Sequence, residues 1–171
     1  MTAVSNSVFT ASQFNTFVRD NFNETAPAKA TTSGAHFAVS STNEISERIS
    51  ETASVLTPET TTSTTYTDLT TVGPTVTVET GPAAIVTVHG AIDNSGAGSS
   101  RMSYDISGAS TIAGADNRGI GVYGVAGAGI VASCTVLHTD LTPGTNTFTA
   151  KYRVASGTGT FNSRRIVVFP L

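Results

Sequence analysis

The sequence predicts a mainly β protein: an antiparallel β-sandwich of jelly-roll type, preceded by a short N-terminal amphipathic helix and an extended linker. Three observations indicate this class. Thr is more numerous than Lys and Arg together and only 12% of the residues are charged, which is typical of strands and turns rather than of surface helices. After Pro58, apolar residues recur at every second position, as in half-buried strands. Turn-forming sequences separate these segments at short intervals.

The first predicted element is a helix from Thr10 to about Phe22. Thr10 and Gln13 form a capping box, in which the side chain of each residue accepts a hydrogen bond from the backbone N–H of the other. Phe9 precedes the cap and is expected to pack on Phe14 as a hydrophobic staple. Apolar side chains then recur at helical spacing and form one face. That face consists of Ala11, Phe14, Phe17, Val18 and Phe22.

A helix of this length is marginally stable alone, because nucleation is costly below roughly 12–15 residues. Its apolar face either covers the protein's own β-domain or anchors the chain to a partner. Pro27 and the Ala/Thr/Ser-rich stretch after it separate the helix from the β-domain, which favours a partner. We therefore expect a docking helix whose contacts are made by Phe9, Phe14, Phe17, Val18 and Phe22.

A linker is expected between the arm and the β-domain. It contains one short apolar segment, His36 to Val39, and one weak helical segment, Asn43 to Ser50, in which Ile45 and Ile49 stand four residues apart. The second segment forms either a solvated helical turn or a short three-chain seam. The expected organisation is a docking arm at 1–28, a linker at 29–58 and a β-sandwich domain at 59–171.

About eight short strands are expected after Pro58, and eight antiparallel strands without long helices between them are typical of a jelly roll. The candidate strands are Thr64–Leu69, Thr75–Val78, Val86–Ile92, Met102–Ile106, Gly121–Val125, Ile130–His138, Thr147–Val154 and Arg165–Phe169. Alternation places one set of side chains on inward faces, because successive strand residues point to opposite sides. This set includes Val76, Val78, Val86, Val88, Phe148, Tyr152, Ile166 and Val168.

Composition also argues against several classes of function. The net charge is −3 and no basic run is present, so binding to nucleic acid is not expected. No stretch approaches eighteen apolar residues and no basic flank precedes an apolar run at the start, so we expect no membrane insertion and folding in a cytosol. Cys134 is the single cysteine, which excludes an intrachain disulfide framework and a Cys-rich zinc cluster.

One motif matches a nucleotide-binding pattern by spacing alone. Residues Gly119 to Gly124 read G-x-G-x-x-G, but that fingerprint requires a strand before it and a helix after it. The following residues, 125–129, are glycine-rich and cannot sustain a helix. We interpret the match as chance and expect no cofactor.

No catalytic or metal-binding constellation is expected either. The three histidines, His36, His89 and His138, are far apart and lack metal-ligand spacing. Cys134 lies in an apolar strand, where a free cysteine packs as a small hydrophobic side chain. No Gly-x-Ser-x-Gly is present, and no carboxylates are paired by sequence as glycoside hydrolysis needs. We therefore expect a protein that is not an enzyme.

The start of the chain resembles a family of virion proteins. Residues Thr10 to Asn21 read TASQFNTFVRDN, and this resembles the pattern T-A-x-Q-x-N-x-x-V-R-D-N at the starts of minor tail, tail-fibre and head-fibre proteins of tailed phages. The stretch Ala26 to Asn43 is similar to the T-T-x-G-D-x-x-V-A-T-G-A-N element that follows, with Ala35 in place of Asp. Residues 141–154 and 164–171 are similar to C-terminal β-modules of such proteins, as in phages of actinobacteria.

This resemblance implies a non-enzymatic structural protein of the virion, assembled in the host cytoplasm. It implies symmetric homo-oligomers, with the trimer favoured, and capsid or tail proteins as partners of the N-terminal arm. Capsid decoration, a head fibre and a minor tail protein are all consistent with it; capsid and tail locations fit nearly equally, and the short chain slightly favours decoration over a long host-reaching fibre. The alternative is a carbohydrate-binding receptor-recognition module of a tail fibre, with a host-surface glycan as partner. That function needs exposed aromatic side chains, and the chain has no Trp and four Tyr. A depolymerase is a third class, without a recognisable carboxylate constellation.

Overall fold

The computed structural model describes residue 8 and residues 10–23, 25–41, 44–124 and 126–171. The chain divides into two compact units. We call Met1–Glu47 the N-terminal unit and Arg48–Leu171 the jelly-roll unit. Each is described by itself.

The N-terminal unit begins with consecutive helical segments: α1 at Ala11–Phe14, a π-helical turn at Asn15–Arg19 and α2 at Asp20–Asn23. The predicted helix from Thr10 to Phe22 is confirmed. A third segment, α3, spans Ala26–Lys29 with Pro27 in its first turn, where a missing N–H costs nothing.

A two-stranded sheet of β1, His36–Ser41, and β2, Glu44–Arg48, follows in the chain. The predicted helical segment from Asn43 to Ser50 is therefore wrong where the structure describes it. Two isoleucines give little helical preference, and strand pairing with β1 overrides it. The stretch expected to be a linker thus contains regular structure.

The described residues of the jelly-roll unit contain nine further strands and one 3₁₀ helix. The strands are β3 at Glu51–Val55, β4 at Glu59–Thr61, β5 at Thr75–Thr80, β6 at Ala84–Asn94, β7 at Ser99–Gly108, β8 at Ile120–Tyr123, β9 at Gly129–His138, β10 at Gly144–Val154 and β11 at Gly159–Pro170. The 3₁₀ helix spans Asp116–Arg118. One sheet has the order β3-β11-β6-β9, with β4 also paired to β11; the other has the order β5-β10-β7-β8. Every one of these strand pairs is antiparallel.

The strand order is that of a jelly roll. β3 and β4 pair with successive parts of β11, so together they act as one interrupted first strand. Counted in this way, the two sheets have the orders 1-8-3-6 and 2-7-4-5, and every connection except β7 to β8 crosses from one sheet to the other. This is the double Greek-key arrangement, and it confirms the predicted antiparallel sandwich. β3 lies before the expected domain start at residue 59.

The core lies between the two sheets. The predicted inward side chains are buried, and the most exposed of them, Val78, is 7% exposed. β6 alternates buried and half-buried residues along its whole length, because one of its faces packs on the opposite sheet. Cys134 packs against the edge of this core, as expected for a small hydrophobic side chain.

One predicted strand is absent. The stretch Thr64–Leu69 makes only an isolated bridge between Thr67 and Tyr152. Val154 and Tyr152 donate backbone hydrogen bonds to Ser63 and Thr67. Between these two hydrogen bonds the predicted strand segment advances four residues, from Ser63 to Thr67, while β10 advances two. A β-ladder needs one-for-one pairing, so this segment does not form a strand.

β11 contains a bulge that brings a charged side chain inside. The register with β6 shifts between Asn162 and Arg165, and Ser163 adopts a φ of 51°. The extra residue moves the inward positions from odd to even numbers, so Arg164 is fully buried. Its guanidinium donates to Glu59 Oε2 at 3.2 Å and to the Thr57 carbonyl at 3.0 Å.

The outer faces of both sheets carry paired threonines. Their hydroxyl groups lie 3.3 Å apart in Thr75–Thr149, 2.9 Å apart in Thr77–Thr147 and 2.9 Å apart in Thr87–Thr135. Each pair joins two neighbouring strands. Hydrogen-bonded threonines of this kind stabilise strand pairing.

Candidate functional site

The helical arm begins with the predicted capping box. Thr10 N–H donates to Gln13 Oε1 at 3.0 Å, and Gln13 N–H donates to Thr10 Oγ1 at 3.2 Å. The cap satisfies two of the donors that a helix start leaves free. Phe9, the expected staple partner, lies outside the described residues.

Three phenylalanines of the arm are exposed. Phe14 is 49% exposed, Phe17 45% and Phe22 69%, while Val18 is half-buried. Exposed aromatic side chains grouped on one element are typical of interaction sites. The four docking residues that the structure describes therefore lie on a helix and remain accessible to solvent.

The π-helical turn aligns this aromatic face. In a regular helix, Phe14 and Phe22 would diverge by about 80°, since each residue rotates by about 100°. Asp20 N–H instead donates to the carbonyl of Asn15, five residues back. This turn takes up one extra residue, so Phe22 occupies the place of a seventh residue after Phe14, about 20° away.

β1 adds a second apolar surface that was not predicted as a site. Phe37 is 43% exposed and Val39 74%, and both lie on one face because strand residues alternate. The signal in the sequence is the short apolar segment His36 to Val39, whose period of two marks a strand with an outward apolar side. We call Phe14, Phe17, Phe22 and Phe37 the exposed aromatic set; Val39 lies beside Phe37 on the same strand face.

Glu47 ties β2 to the segment before β1. Its carboxylate accepts hydrogen bonds from Thr31 N–H at 2.6 Å, Thr31 Oγ1 at 2.7 Å and Thr32 N–H at 3.0 Å. The Thr32 N–H, followed by the Thr31 hydroxyl, lowers the pKa of Glu47 to about 2. The carboxylate therefore stays ionised at neutral pH and holds the end of this unit together.

The jelly-roll unit has a polar cluster centred on Asp116. Arg101 and Arg153 are directly opposite each other on β7 and β10, where two like charges repel. Asp116 lies between them: it accepts from Arg153 Nε at 3.0 Å, and its Oδ2 lies 3.3 Å from Arg101 Nε without hydrogen-bond geometry. The Arg153 hydrogen bond is the largest cause that lowers the pKa of Asp116.

Both accessible tyrosines join this cluster. The Tyr66 ring lies 5.5 Å from the Arg153 guanidinium and the exposed Tyr123 ring lies 4.7 Å from that of Arg101, within the range of cation–π attraction. Tyr66 also donates to Asp116 at 3.0 Å. Burial, followed by this hydrogen bond, raises the pKa of Tyr66 to about 12. The other two tyrosines, Tyr104 and Tyr152, are fully buried.

One group of side chains has the composition of a catalytic triad, in which Tyr104 and His138 are buried and Asp140 is exposed. Tyr104 Oη lies 2.7 Å from His138 Nε2, and His138 Nδ1 lies 3.7 Å from Asp140 Oδ1. Burial is the main cause that lowers the pKa of His138. Tyr104 is 0% exposed, so a substrate has no access to its hydroxyl. The contact between Tyr104 and His138 lies within the core.

A depression of about 370 Å³ lies where β6, β9 and β11 meet. Pro58, Ala91 and Val131 form much of its lining, and Asp93, Thr160 and Asn162 supply its polar atoms. It contains no aromatic side chain.

The residues that the structure describes contain no group of three His, Cys, Asp or Glu side chains able to hold a metal ion. The same residues include no helix long and apolar enough to cross a membrane.

Comparison with protein-family models finds no match to this chain, and comparison with curated proteins finds no significant match either.

Proposed function

We propose that this protein is a non-enzymatic structural component of a phage virion. The N-terminal unit anchors the chain to a capsid or tail protein, and the jelly-roll unit is displayed on the particle surface, as capsid decoration, a head fibre or a minor tail protein. The observation that supports this most is the exposed aromatic set on a unit that is compact in its own right. The resemblance of residues Thr10 to Asn21 to the starts of phage appendage proteins supplies the identity of the partner.

The exposed aromatic set favours docking on energetic grounds. Complete burial of one Phe side chain contributes about 1.5–3 kcal/mol, and the three helical phenylalanines are each about half exposed or more. Ordering a short helix and one partner surface costs part of this gain. The three aromatic side chains on one aligned face therefore supply the apolar part of such an interface, and the partner must offer an apolar groove to receive them.

The jelly-roll unit then provides the outward-facing body, assembled in the host cytoplasm with the particle. Contact with the host surface is part of the proposal for a tail location. The chain is proposed to form a closed homo-oligomer. The resemblance implies three copies.

Incorporation of a Phe17→Asp variant into particles tests the anchor. A carboxylate at this position cannot enter an apolar groove without a large desolvation cost, so we expect loss of incorporation. Thr16→Asp is the matched control, since Thr16 is exposed and lies on another side of the same helix; its copy number should be that of the wild type.

Copy number per particle is measured by quantitative mass spectrometry of purified virions. Circular dichroism of both purified variants shows whether the sandwich remains folded. Normal incorporation of Phe17→Asp would rule out anchoring through this helix.

A carbohydrate-binding module is the alternative function, favoured by one observation. Tyr123 is exposed beside Arg101, and Tyr66 lies beside Arg153 in the same cluster. An aromatic face with adjacent guanidinium groups suits an acidic sugar. We expect host-surface polysaccharide to shift the NMR signals of Tyr123 and Arg101, and a Tyr123→Ala variant to bind it at least tenfold more weakly. Unchanged spectra at saturating polysaccharide would exclude this site.

A further inference from the structure

β9 is an unprotected edge of its sheet. It is the last strand in the order β3-β11-β6-β9, and within the described residues it pairs with β6 alone. Its ten residues, Gly129–His138, include no Lys, Arg, Asp, Glu or Pro. One side of the strand therefore presents a row of backbone N–H and C=O groups without a neighbouring strand.

The other sheet edges carry features that discourage pairing between chains. β5 includes Glu79, β3 and β4 begin with Glu51 and Glu59, and β8 has only four residues. Charges and short length are the usual protections of an exposed edge. β9 has neither, and its Val131 and Leu137 are 72% and 57% exposed.

We propose that β9 pairs antiparallel with β9 of a second copy of this chain, about a two-fold axis perpendicular to the sheet. The inference concerns the chain by itself and does not depend on the proposed virion function. It joins the β9-containing sheets of the two copies into one continuous sheet.

The burial pattern selects the register of this pairing. Cys134 and Val136 are opposite the buried Val88 and Val86 of β6, so even-numbered residues of β9 face the core. A perpendicular two-fold axis keeps core faces on one side, and opposed residues share a face. Two opposed residues must therefore both be even-numbered or both be odd-numbered.

Among the registers that meet this condition, one places the two most exposed apolar side chains of β9 opposite each other. Opposing Val131 with the partner's Leu137 also opposes Cys134 with the partner's Cys134. Nine residues, 130–138, then pair in each copy and form roughly nine hydrogen bonds. Each β9 has one free side, so the contact closes with two copies.

The same register continues a row of apolar side chains across the joint. Phe169, Ile85 and Leu137 are opposed in sequence across β11, β6 and β9 on the outer face. The partner's Val131 becomes the next member of this row, beside the partner's Ala91. The shared row buries surface that each copy alone exposes to water.

The mass of the full-length protein at micromolar concentration tests the contact. We expect two copies by native mass spectrometry and by light scattering. Val131→Lys places a charge opposite the partner's Leu137, once near each end of the joint, and should give a monomer with an unchanged circular dichroism spectrum. Val72→Lys is the matched control, because Val72 is exposed in a turn before β5; this variant should remain a dimer.

Three results would each overturn the proposal: a wild-type monomer, an open-ended aggregate, or a dimer that persists in Val131→Lys. A trimer would overturn it as well and would support the implication of the phage resemblance instead. Loss of virion incorporation is a separate measurement, so failure of one proposal leaves the other intact.

Cross-linking tests the register. In a Cys134→Ser background, a chain with both Val131→Cys and Leu137→Cys should form disulfides between copies, because opposed Cα atoms are about 4.5–5.5 Å apart. Copper–phenanthroline and oxygen accept the two electrons from each pair of thiols, which release two protons. Val131→Cys alone is the control: its two thiols are six residues apart along the joint, about 20 Å. Equal cross-linking of the single and double variants would contradict this register.

Discussion

Most phenylalanines of the jelly-roll unit are buried, whereas those described in the N-terminal unit are exposed. In the jelly-roll unit, Phe148 and Phe161 are fully buried, and the Phe161 ring lies 4.9 Å from the Tyr152 ring. In the N-terminal unit, the described phenylalanines are all exposed. The difference shows that residue type alone does not locate a core. Two stacked sheets enclose side chains from both faces, whereas a helix and a two-stranded sheet leave one side open.

The largest expected effect separates the two groups of phenylalanines directly. Phe148→Ala removes a fully buried ring and should lower the free energy of unfolding by about 3–5 kcal/mol. Phe22→Ala removes an exposed ring and should change it by less than about 0.5 kcal/mol. Urea unfolding followed by circular dichroism measures both. Similar losses in the two variants would show that the helix packs as part of a core.

A smaller loss is expected for Arg164→Lys. Lysine keeps the charge near Glu59 but cannot also donate to the Thr57 carbonyl as the guanidinium does. A buried acceptor left without a donor costs about 1–3 kcal/mol. Arg165→Lys is the control, because the neighbouring Arg165 is exposed and should change stability by less than about 0.5 kcal/mol. Equal losses of stability in Arg164→Lys and Arg165→Lys would argue against a specific role for the arginine that the bulge buries.

The stability of the jelly-roll unit should also depend on His138. Burial lowers the pKa of this imidazole from 6.5 in the folded state, so the unfolded chain binds a proton at higher pH than the folded chain. The contribution of neutral His138 to stability is therefore fully present above pH 6.5, and it decreases as the pH falls toward the lowered pKa. The decrease should be smaller in His138→Gln. Thermal melts between neutral and mildly acidic pH measure it, and identical pH profiles would contradict this assignment.

The smallest effect is expected from the largest deletion. A fragment that begins at Arg48 retains all strands of the sandwich, so its melting temperature should be within a few degrees of that of the full chain. Its circular dichroism should lose the helical contribution and keep the β signal. A large drop in melting temperature would show that the two units stabilise each other.

Local patterns predicted much of this structure. The capping box of Thr10 and Gln13 depends on residues three apart, and the inward positions of β6 and β10 follow from strict alternation, so both could be read from short windows. The buried Arg164 could not, because the bulge at Ser163 shifts the alternation by one residue without a sequence signal. The cluster at Asp116 needs contributions from β7, β10, the β7–β8 connection and the segment before β5, and only the folded topology brings these together. Phe37 and Val39 were visible as an apolar segment, but their exposure depends on what packs against β1.

The threonine pairs on the outer faces have a consequence for the conditions that the protein tolerates. Attraction between exposed charges weakens as salt is added, since the screening length is about 8 Å at physiological ionic strength and about 3 Å in 1 M salt. Hydrogen bonds between neutral hydroxyl groups carry no net charge to be screened. With only 12% charged residues and neighbouring strands joined by threonine pairs, the screening of charges by added salt should lower the unfolding temperature of the sandwich very little.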